Sequence, residues 1–81
     1  MNEISFDELL KTEYQKIKKK KKISSYHEGY GLLAEELDEF WDEVKKKARE
    51  RNKENALVEL VQIATLCKRI AEDLGLKVYR K

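Results

Sequence analysis

Glu36 and Glu39 stand three residues apart in the sequence, and so do Glu59 and Gln62. On a helix that spacing places both members of a pair on one face. If two antiparallel helices carry the pairs, three carboxylates and one amide oxygen converge into a four-oxygen cradle. Such a cradle suits Mg²⁺, a hard cation that takes oxygen ligands in octahedral geometry and shares them with substrate phosphates. Mn²⁺ accepts the same kind of donors. Glu59 is the most telling member, because it interrupts the apolar run LVELVQIA at residues 57–64. On a wheel of about 100° per residue it falls within the apolar arc of Leu66, Ile70 and Ile63, with Gln62 about 60° to one side. An ionised carboxylate in that position must be paired, protonated or bound to metal. The plainer alternative for the three glutamates is interhelical salt bridging to Lys or Arg, from this chain or a partner subunit.

The elements that must position these groups follow from periodicity and capping signals. Ser5-Phe6-Asp7-Glu8 has capping-box spacing and opens a helix predicted over residues 5–21, with Phe6, Leu9, Leu10, Tyr14 and Ile17 at helical intervals. Ser25-Tyr26-His27-Glu28 repeats the pattern and opens a longer helix predicted over 26–51. Its apolar stripe holds Tyr30, Leu33, Leu37, Phe40, Trp41, Val44 and Ala48. Glu36, Glu39 and Glu43 line the edge of that stripe, whereas Glu35, Asp38 and Asp42 point further toward solvent. Residues 52–54 form a turn, and a third helix over 55–74 ends at Gly75, a natural residue just beyond a helix C-terminus. No strand alternation, repeat or low-complexity linker interrupts the pattern. The fold class expected is all-α: a single domain over residues 1–81, built as an antiparallel bundle of three main helices.

Composition agrees with helices and sets limits. Of the 81 residues, 41% are apolar and 42% charged, and proline is absent. A chain this short buries only a little over ~60% of its unfolded surface. Cys67 is the single cysteine, so no disulfide within the chain reinforces the core. Association with copies of itself is the expected remedy. Cys67 itself reads as a small core residue. There is no apolar run of ~18 residues to span a membrane, and Met1-Asn2-Glu3 does not begin a signal peptide. With a lone cysteine, this favours a reducing, cytoplasmic setting.

The formal net charge of +2 conceals segregation. Residues 11–22 are strongly basic and include the unbroken run Lys18–Lys22. Residues 35–43 hold six acids and no base, and basic residues return from Lys45 to Lys53. The acid block repels phosphate unless a metal intervenes, which argues against nucleic acid as the primary partner.

At this point a family resemblance is visible. Glu35-Glu36-Leu37-Asp38-Glu39 matches the EExxE motif of the MazG-like nucleotide pyrophosphohydrolases, the all-α NTP pyrophosphatase superfamily. The family's second motif, ExxD, corresponds to Glu59-Leu60-Val61-Gln62, and the resemblance spans roughly residues 26–74. The phrase HEGYGLLAEELDEFWDEVKKK is similar to short, phage-type members. The resemblance implies a protomer whose four-helix core is completed by forming a homodimer or homotetramer. It also implies Mg²⁺-dependent cleavage of a nucleoside triphosphate between the α and β phosphates, giving a monophosphate and pyrophosphate. Carried over by motif position, Glu36, Glu39 and Glu59 become catalytic metal ligands, with Gln62 the fourth. Glu35 takes an outer-shell place, and Glu43 a further one by its position on the wheel. His27, Lys45 and Lys46 are candidates for substrate contact.

Gln62 departs from the family pattern. An amide carbonyl can coordinate Mg²⁺ but brings no charge and cannot act as a base. Three glutamates still suffice for one ion, while a two-metal arrangement is disfavoured. This departure also keeps a second class of function in view: a non-catalytic module of the same fold that binds nucleotide, metal or a protein partner.

Overall fold

A computed structural model describes residues 3–80, so the reading of Met1-Asn2-Glu3 leans on two residues outside the described part. Within it the chain is all-helical: α1 (Phe6–Ile17), α2 (Tyr26–Val44), a short 3₁₀ turn (Ala48–Glu50) and α3 (Lys53–Asp73). Both expected serine N-caps are present. Ser5 Oγ accepts the Glu8 N–H at 3.1 Å and Ser25 Oγ accepts the Glu28 N–H at 3.0 Å. Each satisfies a donor that the first helical turn leaves without a partner. At the other end of the chain, Gly75 adopts φ +66°, the left-handed conformation that glycine accepts without strain. The Leu76 N–H donates to Ala71 O at 2.9 Å and the Gly75 N–H to Glu72 O at 3.1 Å, the paired bonds that terminate α3.

Two boundaries differ from expectation. Helix α2 stops at Val44 rather than continuing to Arg51. The Arg51 guanidinium folds back onto Val44 O, at 2.7 and 3.1 Å, and takes up a carbonyl that a continuing helix would have used. Ala48 therefore belongs to the 3₁₀ turn and not to the α2 stripe, although its spacing is in phase. Helix α1 ends at Ile17, and the lysines beyond it form a turn and a connection. Five successive ammonium groups repel one another along a helix, so nothing local favours its extension. Helix α3 begins two residues earlier than expected, because Asn52 is its cap: the side chain accepts the Asn55 N–H at 3.0 Å.

Helix α3 is the central element. It packs against both α1 and α2, which do not pack on each other. Helices α2 and α3 run antiparallel, since Gly29 near the start of α2 meets Ile70 near the end of α3. The apolar core is small: among the described residues Ile23, Val61 and Leu66 are the buried hydrophobics. Ile23, only 2% exposed, comes from the connection between α1 and α2. Its N–H donates to Asp73 Oδ2 at 2.9 Å, and Arg69 donates to Lys21 O. Arg69 and Asp73, expected on the solvent arc of α3, thus pin that connection to the end of the helix.

About half of the apolar stripe expected on α2 remains uncovered. On α2, Tyr30 is 74% exposed, Trp41 57% and Leu37 53%, and on α3 Leu57 and Leu60 are exposed as well. Cys67, expected in the core, is also exposed. Gly29 and Ile70 meet where α2 and α3 face each other, and the exposed positions lie outside that contact. No described helix is long and apolar enough to cross a membrane.

Candidate metal centre

Glu36 and Glu39 lie on α2, and Glu59 lies on the facing part of α3. Their i, i+3 spacing and the antiparallel packing bring one carboxylate oxygen from each residue within 4.8 Å of the others. Among the described residues, none of the three pairs with a lysine or arginine. Salt bridging within the chain, the plainer reading of these acids, is therefore not what brings them together. Glu36 Oε2 and Glu59 Oε2 are buried without a hydrogen-bond partner. Buried polar atoms are ordinarily satisfied, so two such atoms in one cluster call for an explanation.

The electrostatics follow from this crowding. Burial pushes the Glu36 carboxyl up to about 6, helped by the charges of Glu39, Glu59 and Glu35. Glu59 is raised as well, first by burial and then by Glu39 and Asp42. Both shifts have one origin: the charged form loses water and gains negative neighbours. A proton or a cation would relieve them. The donor set, three carboxylates on two rigid helices, fits a hard divalent cation and offers nothing to a soft one.

Gln62 lies beside this cluster and faces a cavity of about 230 Å³ that it shares with Glu36. Glu35 lines the same cavity from α2. The remaining expected site residues stand apart. His27 is exposed in the first turn of α2, nine residues before Glu36 and hence about 13 Å away along the helix axis. Lys45 pairs with Asp42 at 3.0 Å, and Lys46 with Glu43 at 3.0 Å, both at the far end of α2.

Glu43 has a different task from the one expected of it. It is buried, and its carboxylate accepts the Asn52 N–H at 2.7 Å while Lys46 donates to the other oxygen. These donors, the backbone N–H first, hold its carboxyl below the usual range. Glu43 joins the end of α2 to the start of α3 and so fixes the corner that aligns Glu36 with Glu59. The sequence offers a signal in hindsight: Glu43 is one turn beyond Glu39 on the same helix edge, just before a helix-ending lysine run.

Sequence reasoning missed the contribution of α1. Glu13 and Ile17 of α1, with Lys20 in the turn beyond it, form one wall of the cavity, which Thr65, fully buried on α3, also lines. The Thr65 hydroxyl donates to Val61 O at 2.6 Å. No family model, curated protein or solved structure matches this chain.

Proposed function

We propose that the chain is a Mg²⁺-dependent nucleoside triphosphate pyrophosphohydrolase of the MazG-like kind, cleaving a (d)NTP between its α and β phosphates. The observation that carries this reading is the convergence of Glu36, Glu39 and Glu59, with two buried oxygens that no group of the chain satisfies. The matches of residues 35–39 to EExxE and of residues 59–62 to most of ExxD support it. Glu36, Glu39 and Glu59 would hold the ion, with the Gln62 amide oxygen as a neutral neighbour. Bound there, Mg²⁺ or Mn²⁺ would neutralise phosphate charge and lower the pKa of an attacking water.

The chain's own residues supply position and charge. Helices α2 and α3 fix the three carboxylates before substrate arrives, so little reorganisation is needed. Their crowded negative charge keeps free phosphate away, which makes binding of a triphosphate conditional on the cation. A cradle carboxylate oxygen left uncoordinated by the ion would accept the proton of the attacking water.

The exposed Tyr30, Leu37, Trp41, Leu57 and Leu60 support a homo-oligomer. A core with so few buried hydrophobics needs further apolar burial, and a second copy laid on this face would complete a four-helix core.

Gln62 favours a second reading, a module that binds metal or nucleotide without turnover, because it stands where the family motif has an acid. Pyrophosphate release from a panel of NTPs and dNTPs with Mg²⁺ or Mn²⁺ separates the two. Release that Glu59→Gln abolishes supports the enzyme. Metal or nucleotide binding with no release supports the module.

A further inference from the structure

Because α1 and α2 each pack on α3 but not on each other, a gap remains between them. The cavity of about 230 Å³ occupies that gap and reaches the metal cradle through Glu36. It is smaller than the ~300 Å³ at which pockets for a whole drug-sized ligand begin. It therefore suits one end of a nucleotide rather than all of it.

The chemistry of the wall decides which end. Ile17, Leu32 and Leu66 give it one apolar side chain from each helix. Between them stand the carboxylates of Glu13, Glu35 and Glu36, against the cations Lys20 and Arg69. Arg69 is already engaged with Asp73 and with Lys21 O. A wall with more acids than bases repels a triphosphate and accepts a flat, neutral, partly apolar ring. Among the described residues, Glu13, half-buried, and Glu35, exposed at the cavity's rim, have no hydrogen-bond or ion-pair partner within the chain. An ionised carboxylate only accepts hydrogen bonds, so it pairs with an exocyclic amino group and is repelled by the two carbonyl oxygens that flank the ring N–H of uracil and thymine.

We propose that the cavity between α1 and α2 is the nucleoside subsite, and that Glu13 and Glu35 select bases carrying an exocyclic amino group over uracil and thymine. This rests on the pyrophosphohydrolase reading above and adds a substrate class to it. Helix α1 then belongs to the recognition of substrate, although it contributes no residue to the cradle. The triphosphate extends the other way, from Glu36 toward Glu39 and Glu59.

The test compares cytidine and adenosine triphosphates with uridine triphosphate, and with an adenosine triphosphate whose amino group is dimethylated. It is run on the wild-type protein and on Glu13→Gln and Glu35→Gln. Calorimetric binding of the corresponding uncharged nucleosides without divalent cation provides a readout independent of turnover. The expected result is at least about a tenfold preference in kcat/KM for the amino-bearing substrates. The same order should appear in nucleoside binding, and the preference should diminish in both variants. Hydrolysis with no base preference, or a preference unchanged by both variants, would overturn this inference and leave the pyrophosphohydrolase reading intact. No hydrolysis of any triphosphate and no divalent-cation binding would overturn both. Amino-selective binding of nucleosides without hydrolysis would support the subsite while removing the catalytic reading.

Discussion

Glu36 and Glu59 meet across the α2–α3 interface, each with one buried carboxylate oxygen that no donor of the chain satisfies. In a protein whose buried hydrophobics are so few, two acids in that position oppose folding rather than assist it. They are explicable as groups kept for a ligand, since functional sites are where folds accept such conflicts.

A pH dependence follows, with a definite sign. The Glu36 carboxyl titrates at about 6 in the folded chain, above the ordinary value of 4.5. Between those two values the folded state binds more protons than the unfolded state, so this group's contribution to stability falls as pH rises. Without divalent cation, Glu36→Gln is therefore expected to be more stable than wild type at pH 7. The difference should close as pH drops through 6 toward 4.5. Chemical denaturation at a series of pH values measures it. A variant less stable than wild type at pH 7 would contradict the conflict described for Glu36.

Metal should reverse that ordering. Ligand carboxylates must be deprotonated, so binding releases protons and weakens as pH falls below about 6. Saturating Mn²⁺ is expected to raise the thermal midpoint of the wild-type protein but not of Glu36→Gln. Gln62→Asp, which restores a charge beside the cradle, should tighten Mn²⁺ binding. Calorimetric titration of the three proteins checks all of this.

The two glycines at the start of α2 should behave oppositely. A Cβ on Gly29 would meet the Ile70 side chain at 3.2–3.3 Å, whereas one on Gly31 would meet nothing within 4 Å. Gly29→Leu should cost about 1–3 kcal/mol through overpacking. Gly31→Ala should stabilise by about 0.5–1 kcal/mol, since only helix propensity changes. Urea denaturation of both variants gives the comparison.

Glu43→Ala removes the acceptor of the Asn52 N–H and the partner of Lys46. Faster amide exchange at residues 52–56 and a lower thermal midpoint are expected, with Lys46→Ala showing the smaller effect. Metal affinity should fall along with them, because the corner sets the register of Glu36 against Glu59.

Much of this was legible in the sequence. The two serine N-caps, the end of α3 at Gly75 and the convergence of Glu36, Glu39 and Glu59 all follow from local spacing and period. What spacing could not give were the tertiary events. The return of Arg51 onto Val44 O, which ends α2, and the burial of Ile23 under Asp73 join residues distant along the chain. Cys67 and Leu60 shared an apolar arc with true core residues. Periodicity names an apolar face without saying how much of it one protomer covers. Glu13 was invisible as a cavity residue for a similar reason, since α1 reaches the cradle's neighbourhood only through its packing on α3.

The uncovered face gives a further outcome to measure. Light scattering should find the wild-type chain as a dimer or tetramer, and Trp41→Lys should dissociate it. A stable wild-type monomer would mean that this face serves something other than a second copy.

The most direct test of the central claim is pyrophosphate release from NTPs and dNTPs with Mg²⁺ or Mn²⁺, for the wild-type protein beside Glu59→Gln. The expected result is metal-dependent release that the variant lowers by more than about 100-fold while remaining folded, as loss of a direct ligand should exceed the 10–100-fold effect of removing an outer partner. Release that is unchanged in Glu59→Gln, or no release from a folded wild-type protein across the whole panel, would contradict it.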